Sequence, residues 1–526
     1  MISYKIPNAL GLIYDFLKRY SKPLLLGMLY GFSFRSSSFL PLCGFLCFGL
    51  FFRELLKQKK PSLVYKNIYL FFVCAKFFSL YWIGYAFSGM GYLAVGLISS
   101  FLLSSFIAFF YLTAGCFLNA ISSCHRVYFL AFGIWVSEYI TSIVCTGFPW
   151  NLTAHLWGML SLGWQDIHPI ADWPLAVMQI ASILGVHGLS LLTLIWISGI
   201  VIFIENVRGY KKLSFVITVL ITVSVPLFGF MRLKHNPTQF DTTIPKIRLV
   251  QPCVDPNQKW HPDHLNNIIH GLLELSFKEV SDNVGMIVWP EAAVPLRMNK
   301  QIELKKFLAT FLLPHLHLVT GCVLHESTND YSAMIAINNK ANIVQAHRKG
   351  HIVPFGEYIP LKKWIPLHKL TPGSQDYTPG PRVSELRLNR YPPFLPLICY
   401  EAIFPYFLRE QSRDAQESAK WILNITNDAW YGDSAGLWQH LANVRFRSIE
   451  EGLPLIRVAN NGISGVIDAV GRIVFKTPID ERGFYDIALP QALGTTWFVR
   501  YYHLIHLVFI LGLVTCCYFG RSKYKK

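Results

Sequence analysis

The sequence predicts a membrane-embedded bundle of about eight helices that carries one α/β domain outside the cytoplasm. Hydrophobic residues make up 52% of the 526-residue chain and charged residues only 15%, with a mean hydropathy of +0.36. That balance excludes a disordered chain and is high for a soluble one. The positive charge is unevenly placed. Between residues 241 and 500 there are about 27 Lys and Arg against about 25 Asp and Glu, so most of the net +17 lies in the flanks. There it occupies short segments beside apolar runs, as in the cytoplasmic loops of membrane proteins, which argues against a nucleic-acid partner.

Taken in order, apolar stretches cover residues 23–34, 39–52, 68–87, 92–117, 127–144, 177–204, 213–230 and 504–519. The first two fall short of the roughly 20 residues a bilayer requires and suit a tilted, interfacial or re-entrant hairpin. Basic residues mark the loops: Lys18, Arg19 and Lys22 precede the first stretch, residues 53–60 follow the second, Arg208, Lys211 and Lys212 follow the sixth, and residues 521–526 follow the last. If the eight alternate, all four loops lie on one side. The positive-inside rule makes that side cytoplasmic and puts the segment between the seventh and eighth spans outside. No cleaved signal peptide is expected, because over twenty mixed residues precede the first apolar run. The divisions are therefore residues 1–233, with about seven helices; 234–501, the external domain; and 502–526, a last helix with a basic cytoplasmic tail.

Within the external domain, short β-rich runs at 246–251, 285–289, 316–323, 332–338, 395–400, 421–426, 455–459 and 464–468 alternate with helical spacing at 264–280 and 439–451. This is an α/β pattern. Of the 11 cysteines, Cys253, Cys322 and Cys399 lie in this domain, an odd number, so at least one is unpaired there. No zinc spacing and no HExxH run occurs among the 17 histidines, and no metal or cofactor is expected.

Three segments place a reactive side chain where a buried strand ends, a common position for sites in α/β folds. Met286 to Glu291 is an apolar strand stopped by Pro290 and followed by a carboxylate; Leu397 to Glu401 ends in the Cys399 thiol; His347 to Glu357 carries Lys349 before a turn marked by Pro354 and Gly356. Each has an ordinary structural role, since a strand-end Cys packs, a carboxylate after Pro caps a turn, and a Lys in a basic run is solvated. Together they supply the parts of covalent acyl transfer: a nucleophile, a base for its proton, and a cation for the oxyanion. A carboxylate with a pKa near 4 is a poor base for a thiol near 8.5, so burial must raise one or Lys349 must lower the other.

Glu, Lys and Cys in this order and context resemble the nitrilase superfamily of carbon-nitrogen hydrolases. The segments Trp289-Pro-Glu-Ala-Ala-Val-Pro295, Lys349-Gly-His-Ile-Val-Pro-Phe-Gly-Glu-Tyr-Ile-Pro360, Ile398-Cys-Tyr-Glu401, Asn427-Asp-Ala-Trp-Tyr-Gly432, Trp438-Gln-His440, Asn460-Asn-Gly462 and Thr146-Gly-Phe-Pro-Trp150 resemble, more narrowly, the apolipoprotein N-acyltransferases. The likeness covers nearly the whole chain; His347, Arg348 and Leu437 depart from the family pattern. It implies a nitrilase-like α-β-β-α sandwich and transfer of an acyl chain from a phospholipid, typically the sn-1 chain of phosphatidylethanolamine. The implied acceptor is the amino group of a lipoprotein's diacylglyceryl cysteine. The implied course is ping-pong through a Cys399 thioester, with Glu291 as base and Lys349 at the oxyanion. Glu357, Glu401 and Tyr400 match residues the family needs beside the triad, Glu357 orienting Lys349 or Glu291, and Trp260 matches an aromatic over the site. The implied location is the bacterial inner membrane with the catalytic domain periplasmic, and a monomer is expected. Lys362, Lys363 and Trp364 suit a head-group surface or an ordinary solvated loop. One alternative is a membrane-anchored amidase that discharges its acyl-enzyme to water, against which eight spans weigh. The other is a non-enzymatic transporter, against which the intact triad and the scarcity of ionisable residues in the spans weigh.

Overall fold

The computed structural model describes residues 9–35, 39–90, 92–119, 126–165, 172–205, 211–364, 369–371, 375–381, 385–410 and 419–521. Arg208 and residues 522–526, which the charge argument used, lie outside them. The amino-terminal half is helical: α1 Ala9–Phe32, α2 Leu40–Leu56, α3 Pro61–Leu80, α4 Leu93–Phe110, α5 Leu112–Asn119, α6 Arg126–Ile143, α7 His155–Gln165, α8 Trp173–Met178, α9 Ala181–Ile204 and α10 Lys211–His235. Among the described residues, five helical segments are long and apolar enough to cross a membrane: Pro61–Phe87, Leu93–Asn119, Arg126–Thr146, Ala181–Ile204 and Lys211–His235. The molecule is thus a membrane protein with several candidate spans.

The first two apolar stretches are each part of a longer helix, because residues outside the apolar windows continue the helical turns of α1 and α2. The stretch predicted as one span at 177–204 begins with the short α8 and is interrupted again inside α9 at Gly185. Basic residues of α1 and of the α2 end lie close together, beside the end of α9. Lys22 and Lys57 both pair with Glu54, and Arg53 pairs with Glu205 at the end of α9. The spans also hold ionisable groups that hydropathy hides: Lys76 of α3 and Glu138 of α6 are both buried. Lys76 Nζ donates to the carbonyls of Trp150 and Asn151 at 3.3 and 3.0 Å, and Glu138 Oε1 accepts from the Thr153 amide and hydroxyl at 2.8 and 2.6 Å. The pair fixes the loop between α6 and α7.

The α/β domain has β1 Lys246–Gln251, α11 Leu265–Phe277, β2 Val284–Val288, β3 Val294–Arg297, α12 Ile302–Ala309, β4 His317–Glu326, β5 Asn329–Ile337, β6 Ile343–Arg348, β7 Phe394–Ile398, β8 Trp421–Thr426, α13 Ala435–Glu451, β9 Leu455–Ala459, β10 Gly465–Ile467, β11 Ile473–Lys476 and β12 Gly483–Ile487, before α14 Tyr502–Arg521. One sheet runs β12-β1-β2-β4-β5-β6 with β3 beside β4, and the other runs β11-β10-β9-β8-β7. Strand periodicity gives each strand two faces, and in β2 both are apolar. In β2, Met286 and Val288 join the core shared with Leu395 and Leu397 of the second sheet, while Ile287 turns to the layer of α11, with Ile268 and Leu272. The order is helix, sheet, sheet, helix, with α13 as the last layer.

All eight predicted strands are present. β3, β6, β11 and β12 were not predicted; they are half-buried or edge segments whose alternation is weak. α13 starts at Ala435, not at 439, because the Ser434 hydroxyl accepts from the Gly436 amide and caps it. Every residue of α13 but Trp438 is buried, since the helix is enclosed between the second sheet and helices α7 and α9.

Candidate active site

Glu291, Lys349 and Cys399 sit at the ends of β2, β6 and β7, and the fold brings all three together. Lys349 is the hub. Its Nζ donates to Glu291 Oε1 and Glu357 Oε1, each at 3.0 Å, while its backbone amide is fixed to Ser332 O at 2.8 Å. Glu291 Oε2 accepts from the Asn427 amide at 3.0 Å, and Glu357 Oε2 accepts from Val353 N at 2.7 Å. Both carboxylates are therefore satisfied at both oxygens, as buried charge requires.

Close packing of the Glu291 turn depends on Gly321. A Cβ there would lie 2.6 Å from Glu291 Cα and Ala292 N. Cys399 adopts φ 50°, in the left-handed region that costs a non-glycine residue of order 1 kcal/mol or more. The turn is held by Glu401, which accepts from Ile398 N at 2.7 Å and His347 Nε2 at 3.3 Å through Oε2, and from Gly350 N at 2.6 Å and His351 N at 3.2 Å through Oε1. One carboxylate thus joins the strand carrying the thiol to the loop carrying the lysine. His347, a departure from the family pattern, is accounted for by this bond. Tyr400 donates its hydroxyl to Gly147 O at 3.0 Å, tying the turn to the loop that Lys76 and Glu138 fix.

Electrostatics follow from burial and charge. Burial pushes the Cys399 thiol up, Glu291 adds to the rise, and Lys349 offsets part of it. Cys399 therefore rests as a thiol. Burial acts to lower the Lys349 ammonium, but Glu291 and Glu357 outweigh it and hold the group well above the ordinary lysine value. Glu357 is raised by burial, opposed by Lys349. For Glu401 burial is outweighed by His347 and the amide donors, and its carboxyl lies below the ordinary range.

Sequence reasoning missed Lys259. It is only 2% exposed, its Nζ donates to the Glu291 carbonyl at 2.9 Å, and burial pushes it down to about 8. Its position immediately before Trp260 was the available signal. Trp260 is partly buried with its indole N–H unpartnered. Behind the site, Asp428 pairs with Arg457 and with His440 Nδ1 at 3.0 Å, and Asn460 Nδ2 donates to Asn427 Oδ1 at 3.1 Å, so the 427–432 and 460–462 segments brace Glu291. Cys253 and Cys322 are both free thiols. Lys362 pairs with Asp376 at 2.9 Å, and Trp364 is 83% exposed. Among the described residues no cluster of three or more metal-ligating side chains occurs.

A sandwich with a Glu, a Lys and a Cys at its strand ends belongs to the carbon-nitrogen hydrolase class, and residues 246–497 match the carbon-nitrogen hydrolase family. Residues 26–200 match the apolipoprotein N-acyltransferase N-terminal domain. The chain is 33% identical over 515 residues to the apolipoprotein N-acyltransferase of Rickettsia typhi, covering 93% of this chain and 96% of that one. It is 30% identical over 393 residues to that of Rhodopseudomonas palustris, covering 71% and 70%. A CN-hydrolase superfamily protein from Xanthomonas campestris is 17% identical over 47% of this chain and 90% of its own, with a TM-score of 0.34. The chain belongs to the apolipoprotein N-acyltransferase family and is an enzyme.

Proposed function

We propose that the chain transfers a fatty acyl group from a membrane phospholipid, the sn-1 chain of phosphatidylethanolamine, to the α-amino group of the diacylglyceryl cysteine of apolipoproteins. The observation that carries this is the Lys349 ammonium held between two buried carboxylates beside a thiol on a strained turn. Glu291 takes the Cys399 proton as the sulfur attacks the ester carbonyl, and Lys349 stabilises the oxyanion. Collapse breaks the ester bond, and the departing lysophospholipid oxygen takes the proton back from Glu291. The amine then attacks the thioester, Glu291 accepts its proton, and Cys399 leaves as a thiol with that proton. Glu357 holds Lys349 in place. Tyr400 and Glu401 position the nucleophile turn, and Trp260 covers the site.

In this proposal residues 1–233 and 502–526 are the membrane part, eight spans in all, counting α1, α2 and α14 with the five long apolar segments. Residues 234–501 are the periplasmic catalytic domain of a monomeric inner-membrane enzyme. Donor and acceptor both reach the site from the bilayer, so the acyl-enzyme is screened from water.

Intact-mass spectrometry of the detergent-purified protein with phosphatidylethanolamine, beside Cys399→Ala, tests this. A fatty-acyl adduct is expected on the wild type alone, moving to the amine of an added diacylated lipopeptide. An adduct lost equally fast without peptide would instead make the chain a membrane-anchored amidase-type hydrolase.

A further inference from the structure

The break in α9 opens a second site. Gly185 lies at φ 70°, ψ 175° inside the helix, and a Cβ there would come within 2.4 Å of the Phe498 ring. Non-helical backbone at membrane depth persists only where protein buries it or where it borders a cavity. Here it borders a crevice of about 480 Å³, walled by Tyr139 and Ile143 of α6, His187 of α9, His351 and Tyr406 of the α/β domain, and His506 of α14. None of the described residues lining it is Asp, Glu, Lys or Arg.

Two imidazole nitrogens in this wall have no partner: Nδ1 of His187, a residue 6% exposed, and Nε2 of His351. A buried polar atom left unpaired costs about 1–3 kcal/mol, so the wall presents two unmet hydrogen bonds. Burial pushes His351 down to about 4, which leaves its ring neutral at neutral pH. A charged head group would therefore lose hydration here without a charged side chain in the lining to pair with. Ile143 of the lining is exposed, and so are Leu504 and Leu507 on α14, the helix that contributes His506.

We propose that this crevice binds an uncharged glycerolipid of the diacylglycerol class, its hydroxyl and ester oxygens hydrogen-bonded by His187 and His351 and its acyl chains lying along α6 and α14. The lipid is one ring away from the nucleophile turn. His351 packs on Phe404 at 3.9 Å between ring centroids and on Tyr400 at 5.6 Å, and Tyr400 follows Cys399. The site is separate from the triad and does not depend on which acyl donor the triad uses.

The test is photolabelling of the full-length, detergent-purified protein with a diazirine-bearing diacylglycerol, followed by peptide mapping. Saturable labelling of residues 139–143 and 184–187 is expected, with unlabelled diacylglycerol competing at least tenfold better than phosphatidic acid of the same chains. His187→Phe should lower labelling at least fivefold, and His187→Asn, which keeps a hydrogen-bonding group, should retain most of it. Equal competition by phosphatidic acid, labelling spread along the lipid-facing helices, or a folded His187→Phe that labels like the wild type would each overturn the proposal. Because competition is measured on the unmodified protein, a misfolded variant does not decide it.

Discussion

The strand-end site and the junction helix α13 are both buried and both polar, yet they are built in opposite ways. At the site, Lys349 bonds Glu291 and Glu357, Glu401 bonds His347, and the carboxylates take backbone amides from strand ends and the loops that follow them within the same domain. At the junction, partners come from the other half of the molecule. Gln439 Oε1 accepts from the indoles of Trp82 and Trp150 and from Asn151, while its Nε2 donates to the carbonyls of Phe34 and Ser79. Glu450 accepts from Val186 N at 2.7 Å, beside the break in α9. The polar cluster at the strand ends is thus bonded within the α/β domain, while the junction is bonded across to the membrane part.

The largest effect should come from the hub. Lys349→Met leaves two buried carboxylates facing each other, and breaking a buried pair this way costs about 3–5 kcal/mol. Formation of the Cys399 acyl adduct should fall by about 10³-fold in single-turnover mass spectrometry. A variant that still acylates within tenfold of wild type would mean that the oxyanion is held elsewhere.

Glu401→Gln should come next, at about 10²-fold, because an amide cannot replace four charge-assisted contacts. Glu401 also predicts a pH signature. Its folded pKa is depressed, so the stabilisation is full above the ordinary carboxylate range and is lost as pH falls toward the lower folded value. Glu401→Gln should remove that part of the acid sensitivity in thermal melts, and an unchanged acid profile would assign the effect to other groups.

Lys259 sharpens the contrast. Its folded pKa of about 8 lies below the value of about 10.4 for an unfolded lysine, so between these values the unfolded chain binds more protons and stability rises with pH. Below pH 8 the whole cost, on the order of 3 kcal/mol, is present. Lys259→Met should therefore hold or raise Tm at pH 7, while alkylation of Cys399 by iodoacetamide slows about tenfold for want of a nearby cation. A lower Tm with unchanged alkylation would make Lys259 merely structural.

What could be read in the sequence follows the same division. Of the strands carrying the site, β2 and β7 were legible because they are buried on both faces and read as continuous apolar runs, whereas β6, which leads to Lys349, is half-buried and did not stand out. Glu291 and Cys399 stood out because each follows such a run directly, and Glu357 because it lies in the turn after Lys349. Lys259 follows no strand, and its role depends on a fold that places it against the Glu291 carbonyl. α13 was legible only in part, since its polar side chains are buried by partners more than 200 residues away, such as Trp82 and Asn151 on Gln439. Lys76 and Glu138 were hidden for a related reason, each being a single charge within an apolar run. The α9 break likewise left little trace in hydropathy, because glycine is neutral there and the Phe498 ring that packs against it lies over 300 residues away.

Gln439→Glu gives the smallest expected change in chemistry and the sharpest test of the comparison. The carboxylate keeps an acceptor for Trp82, Trp150 and Asn151 but cannot donate to the carbonyls of Phe34 and Ser79. Two buried acceptors lose their partner and a charge enters a buried site, which together cost several kcal/mol. The detergent-solubilised protein should melt several degrees lower. The alkylation rate of Cys399 should nevertheless stay within about twofold of wild type, because the hydrogen bonds of Glu291, Lys349, Glu357 and Glu401 are made inside the α/β domain and none passes through Gln439. If alkylation fell in step with stability, the membrane part would be shaping the triad itself, and the separation between the two regions would fail.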